Sequence, residues 1–429
     1  MALGPCGDCR CVHPPSLGAD PPGGAGGHRR SAPPIAWWHA NAHAPHGGRP
    51  GRCPARPEDP GHPREERYDR VVRLAQDVFG VKAAAVNLID ADRQFTKAEA
   101  GLDGLVHATR ADSLCARTVD RDAPLIVADA MTEQCFAGSS FVTGDDPVRF
   151  YAGHPLHAPG GEPVGSLCLV DSAPRELDER ERRILAEMAG WVERELAAQM
   201  ELDRAEQIQQ MLMPRTGLVT PVVEAAGRCL PARSIGGDFY DWMVLGDEVQ
   251  AMVTDVMGKG IPAALLSASA RAVLRGTFQY NPPAEAMKRA AGALTPLLEE
   301  AGAFITAFIA RVHTGTGEMS YIDAGHGLAL ILSPDGAHRR LISSGPPLGV
   351  VAEWIWDVHT TTLLPGQTLL VVSDGYLDFF DDLEAAVATA AALNTLAGTA
   401  EELVMLCSDY AGTSGADDDT TILALRRTA

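Results

Sequence analysis

The amino-acid sequence predicts an α+β protein built of two domains joined by a helix. The chain has 429 residues, which is long for one hydrophobic core and typical of two domains with additional tails. Between residues 178 and 213 it contains no proline and carries apolar residues at helical spacing. The segments on either side alternate between helical and strand patterns, so we expect sheets with associated helices on both sides of this connection.

The composition narrows the range of partners and compartments. The chain carries 36 lysine and arginine residues against 56 aspartate and glutamate residues, giving a formal net charge of −20. This excess of negative charge argues against nucleic acid or an anionic membrane as the main partner and favours a protein or a small ligand. The sequence has no apolar run of membrane-spanning length and no signal-peptide pattern, and its nine scattered cysteines suit reduced thiols. We therefore expect a cytoplasmic protein.

Residues 1–62 are rich in proline, glycine, alanine and histidine and lack a periodic apolar pattern. A segment of this composition buries too little apolar surface to offset its ordering entropy, so we predict a disordered tail. A start codon assigned too far upstream would explain it equally well. Four tail residues have the side chains of zinc ligands, namely Cys6, Cys9, Cys11 and His13. Their spacing is too tight for a typical zinc site and no second pair follows, so we predict no metal here.

The next elements describe a helix followed by strands. Residues 67–81 place apolar side chains at helical spacing, and residues 83–90 form an apolar run typical of a strand, with a turn at 90–94. Further strands are predicted at 124–130 and 163–171, the latter after a glycine pair typical of a hairpin turn. A helix, antiparallel strands and a closing helix together define an α+β sensor sheet.

Four motifs in this region resemble those of GAF domains: NLIDADRQFTKAEAGLD, RADSLCARTV, FVTGDDPVRFYAGHPL and GSLCLVDSAPREL. The resemblance covers residues 63–198 and implies an antiparallel sheet with helices and a pocket over the sheet. Different members of this family hold a cyclic nucleotide, a chromophore or haem in that pocket, so an unidentified small ligand is implied here. Cys115 and His154 are the candidate pocket residues, although lone cysteines and histidines are more often structural.

The segment 178–214 overlaps the closing helix of the sensor domain and is predicted to be a helical linker. It ends at Pro214, where a helix cannot continue. Its apolar stripe comprises Leu185, Met188, Val192, Leu196, Met200, Ile208 and Leu212. One long helix or two stacked helices fit this pattern. Because a second copy would cover such a stripe, we favour a homodimer over packing of the stripe on its own domain.

Aspartates recur in five strings of the second half: GGDFYD (236–241), TDVMGKG (254–260), DAGHG (323–327), SDGYLD (373–378) and DDDTTILALR (417–426). The alternating run AMVTD delivers Asp255 to a strand end, and the apolar run LLVVSD ends at Asp374. Gly236 and Gly237 allow close backbone approach before Asp238. Oxygen ligands in this arrangement suit hard divalent cations, and a pair of such ions activates water for attack on a phosphate.

These strings belong to longer motifs in a familiar order: GGDFYDW, VTDVMGKGIPAALLSASARAVLR, YIDAGHGLALIL, SSGPPLGV, LLVVSDGYLDF and DDTTILALR. Together they resemble the SpoIIE-type, RsbU-like branch of metal-dependent protein serine/threonine phosphatases, over residues 218–429. The resemblance implies a two-layered β-sandwich flanked by helices, with two manganese or magnesium ions at one end. The implied substrate is a phosphoserine or phosphothreonine protein, typically an anti-sigma-factor antagonist.

The resemblance also implies roles for individual residues. Carried over to this sequence, they are Asp238 bridging two ions, Asp255 and the Val256 carbonyl binding one, and Asp374 and Asp418 binding the other. Asp417 offers a second alignment in place of Asp418, but DDTTILALR read from Asp418 fits a strand better.

Several further side-chain roles are less determined. Ser234 stands where many relatives carry an acid. Arg233 or Lys259 is the candidate contact for phosphate, although both cations also suit a surface or loop-stabilising role. The remaining motif residues are Asp241, Asp378 and Asp381, assigned as solvated or capping residues, and His326, which suits either a neighbour of the site or a turn histidine.

The sequence thus predicts a sensor-regulated protein serine/threonine phosphatase in which the linker connects a GAF domain to a two-metal catalytic domain. A rival from another class is a binding module with an inert phosphatase fold and a GAF receptor, and the complete set of metal carboxylates argues against it. A diguanylate cyclase, suggested by the letters GGDF, is rejected because the string continues with YDW and is followed by TDVMGKG.

Overall fold

The computed structural model describes residues 65–102, 108–134, 136, 138–232, 235–411 and 418–429. The chain divides into two compact units between Glu193 and Arg194. The predicted tail with its cysteine and histidine cluster lies outside the described residues, as do Arg233, Ser234 and Asp417.

The first unit is an antiparallel sheet with associated helices. Its helices are α1 (Glu66–Phe79), α2 (Leu114–Arg121), α3 (Ser140–Thr143) and the beginning of α4 (Glu179–Leu212). Its strands are β1 (Ala83–Ile89), β2 (Arg93–Ala100), β3 (Ala108–Thr109), β4 (Leu125–Val127), β5 (Phe150–His157) and β6 (Pro163–Asp171). They lie in the order β3-β2-β1-β6-β5-β4 with antiparallel pairings.

The sequence predicted α1, β1, β4 and β6 correctly, but it did not predict β2 and β5. Strand β2 buries the polar residues Gln94 and Thr96 on its inner face, so its sequence lacks the apolar alternation that identifies a strand. Strand β5 contains Pro155, which normally argues against a central strand. The short strand β4 pairs with Tyr151 to Gly153 alone, so Pro155 lies beyond that pairing and its missing N–H interrupts nothing there.

The linker forms one helix, α4, of 34 residues, and it ends before Pro214 as predicted. Leu185, Met188 and Val192 of its apolar stripe are buried within a single chain. This part of the stripe is therefore not available to a second copy, which corrects the expectation that the whole stripe pairs in a dimer. Toward the helix end, Ile208 is 54% exposed. None of the helices in the described ranges, α4 included, is both long and apolar enough to cross a bilayer.

The second unit contains two further sheets. Its strands are β7 (Leu218–Val219), β8 (Val223–Leu230), β9 (Phe239–Leu245), β10 (Glu248–Val256), β11 (Ile305–His313), β12 (Glu318–Ala324), β13 (Ala329–Leu332), β14 (His338–Arg340), β15 (His359–Thr362), β16 (Thr368–Val372) and β17 (Thr420–Arg427). Its helices are α5 (Ile261–Tyr280), α6 (Pro283–Ala301), α7 (Leu383–Leu396) and α8 (Ala400–Ala411), and a 3-10 helix spans Asp374–Phe379.

The two sheets stack as a sandwich between two helical layers. One sheet has the order β15-β12-β11-β10-β9, and the other has the order β14-β13-β16-β17-β8-β7. Strand β10 shows how the layers arise, because Val249, Ala251 and Val253 face the core between the sheets. Met252 and Val256 alternate with them and pack under α5 and α6. Helices α7 and α8 cover the second sheet. The predicted sandwich flanked by helices is confirmed.

Candidate metal centre

In the first sheet of the sandwich, strand register places two predicted ligands side by side. Phe239 at the start of β9 lies opposite Thr254 of β10. Asp238 directly precedes Phe239, and Asp255 directly follows Thr254. Because the two strands are antiparallel, the start of β9 and the end of β10 share one edge of the sheet. The chain thus brings these two carboxylates together from different motifs.

The second sheet supplies its two carboxylates in the same way. Val372, the last residue of β16, lies opposite Ile422 of β17. Asp374 begins the 3-10 helix just after β16, and Asp418 lies just before β17. Both residues therefore lie at the edge where β16 ends and β17 begins.

Asp419, directly before β17, connects the carboxylate ends of the two sheets through hydrogen bonds. One oxygen of its buried carboxylate accepts a hydrogen bond of 2.8 Å from the Ala232 amide, and the other accepts one of 2.6 Å from the Gly237 amide. Sequence reasoning did not assign this role, because two backbone amides far away in the chain create it. The carboxylate of Asp419 thus fixes the turn that carries Asp238, while the neighbouring Asp418 stays half-buried.

The two glycines before Asp238 are needed because the backbone packs closely here. A Cβ atom at Gly236 would collide with the Asp419 carboxylate. A Cβ atom at Gly237 would lie 2.7 Å from the Val256 carbonyl oxygen. The glycines thus allow the Asp238 turn to approach the Val256 carbonyl, the one backbone oxygen among the predicted ligands.

Burial and mutual repulsion define the electrostatics of the first pair. Asp238 is 2% exposed, and its Oδ2 atom has no hydrogen-bond partner. Burial, followed by the charge of Asp255, raises the pKa of Asp238 well above its ordinary value. Burial also raises the pKa of Asp255 to about 7, with further contributions from Asp374 and Asp418. The arrangement therefore disfavours negative charge unless a cation offsets it.

The second pair lies nearer the solvent. Asp374 is at the accessible rim, yet neighbouring atoms desolvate its carboxylate enough to raise its pKa, and the charge of Asp418 adds to this effect. The Lys259 ammonium lies 3.2 Å from the Asp418 Oδ2 atom. One of the two predicted phosphate contacts thus lies beside the carboxylates.

The donor set fits hard divalent cations. It consists of carboxylate oxygens and one carbonyl oxygen, the ligands that Mg²⁺ and Mn²⁺ prefer, and it includes a buried oxygen without a partner. Within the described part of the chain, however, no three acidic, histidine or cysteine side chains converge tightly enough to form a finished coordination shell. The carboxylates lie at the same edge and affect one another's pKa, but their oxygens do not converge on a single metal position.

Asp241 has a different role from the solvated or capping one that the sequence predicted. Its side chain is fully buried and forms ion pairs with Arg271 at 3.0 Å and Arg275 at 2.5 Å. Both arginines belong to α5, the helix that follows Asp255, so Asp241 ties that helix to β9. Asp378 and Asp381 are exposed, in agreement with the predicted solvated role.

The DAGHG turn provides support rather than ligands. Asp323 is buried, and its carboxylate accepts hydrogen bonds from the amides of His326 and Gly327. His326 is buried, which lowers its pKa to about 4, and its Nδ1 atom lies 3.2 Å from the Thr306 hydroxyl. Thr306 pairs with Asp255 across β10 and β11. His326 is therefore a neutral neighbour of the carboxylate edge.

The two candidate residues of the first unit have different surroundings. Cys115 is a buried residue in the first turn of α2, where its sulfur lies 3.3 Å from the Asn87 amide nitrogen. His154 is half-buried on β5, and its Nδ1 atom contacts the carbonyl of the adjacent Pro155 at 3.0 Å. Neither arrangement identifies a ligand for this unit.

Two family models match the chain. Residues 63–196 match the GAF domain, and residues 246–428 match the family described as stage II sporulation protein E, SpoIIE. The second match begins after Asp238, so that residue is placed by the structure rather than by the family model. Asp255, Asp374 and Asp418 lie inside the matched range.

Individual curated proteins match parts of the chain. Protein IcfG of Synechocystis is 29% identical over 213 residues, which is 42% of this chain and 33% of the relative. Cyclic di-GMP phosphodiesterase PA2567 of Pseudomonas aeruginosa is 34% identical over 126 residues, 29% of this chain and 21% of the relative. Phosphoserine phosphatase RsbU of Bacillus subtilis is 24% identical over 189 residues, 43% of this chain and 55% of the relative. The chain thus spans about half the length of RsbU and less of the others.

Among solved structures, the RsbU and RsbW domains of Rv1364c from Mycobacterium tuberculosis are 28% identical, with a TM-score of 0.44. That comparison covers 51% of this chain and 63% of the other.

Proposed function

The chain joins a GAF domain to a domain of the SpoIIE phosphatase family, and from this premise we propose that it is a metal-dependent protein serine/threonine phosphatase under sensor control. The relative named phosphoserine phosphatase RsbU supports this class of reaction. The observation that carries the proposal is that four aspartates from both sheets lie at one edge of the sandwich, where their charges act on one another and the buried Asp238 Oδ2 atom has no partner.

Two Mn²⁺ or Mg²⁺ ions are the cofactors that suit this edge. The residues that would hold them are Asp238 as a bridge, Asp255 with the Val256 carbonyl for one ion, and Asp374 with Asp418 for the other. When bound, such a pair of ions supplies Lewis acidity and activates water for in-line attack on a phosphate ester. The protein's part is to fix the oxygens in place, and Asp419 and the two glycines do so for the Asp238 turn.

Lys259 is the residue we assign to the incoming phosphate. Its ammonium group lies beside Asp418 and reaches the solvent. An ammonium group at the mouth of an acidic site offsets the repulsion between the carboxylates and a phosphate dianion. The other candidate, Arg233, lies outside the described residues.

The proposed substrate is a phosphoserine or phosphothreonine on a regulatory protein, and the family resemblance points to an anti-sigma-factor antagonist in the cytoplasm. The net charge of −20 suits a protein partner better than nucleic acid or an anionic membrane. A small ligand of the GAF domain would supply the signal.

Helix α4 offers a route for control within the second unit. The Gln209 side chain donates to the Gly236 carbonyl at 2.6 Å and accepts from the Gly236 amide at 3.2 Å. A displacement of this part of the helix would pull directly on the turn that carries Asp238. We propose that the state of the GAF domain acts on this contact through α4, in a homodimer that uses the exposed end of the apolar stripe at Ile208 and the exposed Met211 close to it in sequence.

The rival proposal is an inert binding module that keeps the phosphatase fold, and the complete set of metal carboxylates argues against it. Hydrolysis of a phosphoserine peptide by the purified chain, with and without Mn²⁺, separates the two. Mn²⁺-dependent release of phosphate that Asp374→Asn abolishes supports the enzyme. Absence of turnover at saturating Mn²⁺ by folded protein supports the module.

A further inference from the structure

Two cysteines meet in the core of the GAF domain. Cys115 lies in the first turn of α2, and Cys168 lies on β6 in the middle of the sheet, opposite Ala85 of β1 and Gly153 of β5. A single amide group joins them, because Asn87 Nδ2 lies 3.3 Å from each sulfur. Both cysteines also belong to one cluster of buried side chains. The two thiols therefore lie beside the same amide group in the core.

The orientation of the Asn87 amide is fixed by its other partners. Its Oδ1 atom accepts hydrogen bonds from the Thr96 hydroxyl at 2.6 Å and from the Gln94 amide at 3.2 Å. Because the oxygen is used in this way, the NH₂ group faces the two sulfurs. Gln94 in turn accepts a hydrogen bond from Ser113, whose hydroxyl caps α2.

The surroundings of Cys115 favour its thiolate. The Asn87 amide donates to its sulfur at 3.3 Å. The first turn of a helix adds the positive end of the backbone dipole. The neighbouring Cys168 has the largest effect, and together with the Asn87 amide it lowers the pKa of Cys115 despite its burial. An amide donor and the N-terminal end of a helix both favour a thiolate at Cys115.

We propose that Cys115 and Cys168 form a reversible thiol oxidation site that reacts with hydrogen peroxide to give an intramolecular disulfide. Apolar neighbours such as Leu114, Phe136 and Val142 enclose the pair, so a small oxidant suits the site better than a bulky disulfide reagent. A bond between these residues would attach α2 to the centre of the sheet. This inference concerns the input of the GAF domain and does not depend on the phosphatase proposal.

The reaction proceeds in two balanced steps. In the first, the Cys115 thiolate attacks one peroxide oxygen, the S–O bond forms and the O–O bond breaks. The leaving hydroxide takes up the proton that the Cys115 thiol released, giving water and a sulfenic acid. In the second, the Cys168 sulfur attacks the Cys115 sulfur, the S–S bond forms, and the sulfenic oxygen leaves as water with the Cys168 proton. The two thiols lose two electrons, and one peroxide becomes two waters.

Peptide mapping of the full chain tests the proposal. The reduced protein is treated with hydrogen peroxide, its free thiols are blocked, and the digest is analysed by mass spectrometry without reduction. We expect a linked peptide pair that contains Cys115 and Cys168 and separates on reduction. Cys407 provides an internal comparison, because it is also buried but its pKa is raised to about 11. Cys115 should react at least roughly tenfold faster, since the thiolate is the nucleophile.

Variants separate the roles of the two sulfurs. In Cys168→Ser the sulfenic acid at Cys115 should persist and be captured by dimedone, whereas Cys115→Ser should give neither sulfenic acid nor disulfide. Cys229→Ser is the control and should still form the pair. If a variant does not fold, peptide mapping of the wild-type protein still tests whether Cys115 and Cys168 form a disulfide.

Three results would overturn the proposal. They are equal oxidation rates at Cys115 and Cys407, a disulfide from Cys115 to a different cysteine, and a metal ion that copurifies on the two thiols.

Discussion

Replacing Asp238 with asparagine should stabilise the metal-free protein and remove its response to Mn²⁺. In the folded protein, burial and the Asp255 charge raise the pKa of Asp238 well above the ordinary 3.8. The folded state therefore keeps a proton that the unfolded chain releases. The associated stability is fully present below about pH 3.8 and is lost as the pH rises toward the folded-state pKa. Asparagine has no proton to lose, so its contribution does not change with pH.

The size of the effect follows from the pH interval. Each pH unit between the unfolded-state and folded-state pKa values lowers the free energy of unfolding by about 1.4 kcal/mol. A rise in pH from 3.8 to 7 therefore lowers the free energy of unfolding of the wild type by about 4 kcal/mol at most. The buried amide of asparagine offsets part of this gain, and we expect a net stabilisation of about 2 kcal/mol at pH 7. For a domain of this size, that corresponds to an increase of roughly 4–8 °C in Tm.

Differential scanning calorimetry in EDTA at pH 5 and pH 7, repeated with Mn²⁺, measures the effect. The wild type should lose stability from pH 5 to pH 7 in EDTA and recover it with Mn²⁺. Asp238→Asn should lose less over the same interval, because only the remaining raised carboxylates such as Asp255 still titrate there, and it should gain little from Mn²⁺. Asp357→Asn removes an exposed carboxylate and serves as the control. A metal-free Asp238→Asn protein that is no more stable than the wild type at pH 7, or that gains as much from Mn²⁺, would refute the reasoning.

Three further predictions address the ligand register and the linker. Asp418→Ala should lower kcat by at least about a hundredfold and Asp417→Ala by less than about threefold, because only one of two neighbouring side chains on a strand faces the ions. The reverse order of damage in a phosphatase assay would move the ligand register by one residue. Gln209→Ala removes two hydrogen bonds to the turn that carries Asp238 and should lower kcat by roughly tenfold. The control is Gln210→Ala, which should leave kcat unchanged because the Gln210 side chain forms its hydrogen bond within α4. Equal rates for the two variants would exclude the Gln209 contact as a control point. Ile208→Asp should convert a dimer to a monomer in light scattering, and an unchanged mass would contradict pairing through the end of α4.

Local patterns were sufficient to predict the parts of the site that lie on regular strands. Asp255 and Asp374 end apolar runs whose alternation or burial marks them as strands, so their place at a sheet edge follows from the sequence. The register between strands decides which carboxylates meet, and that came from the family resemblance.

The features that the sequence missed depend on partners far away in the chain. Asp419 differs from Asp418 because the amides of Ala232 and Gly237 lie within reach of it. Asp241 is buried because two arginines of α5 neutralise it, and no local pattern marks such a pair. Strand β2 was missed for a related reason, since its buried polar residues are satisfied by neighbouring strands and helices.

Release of inorganic phosphate from a phosphoserine peptide, followed across a Mn²⁺ titration of the purified chain, tests the central claim most directly. Wild-type protein should show turnover that rises and saturates with Mn²⁺. Asp238→Asn and Asp374→Asn should fold, as circular dichroism reports, but show no turnover at any Mn²⁺ concentration, because each removes a charge that offsets a dication. Turnover by the wild type that does not depend on a divalent cation, or normal turnover by either folded variant, would contradict the assignment of the carboxylate edge as a metal-dependent phosphatase site.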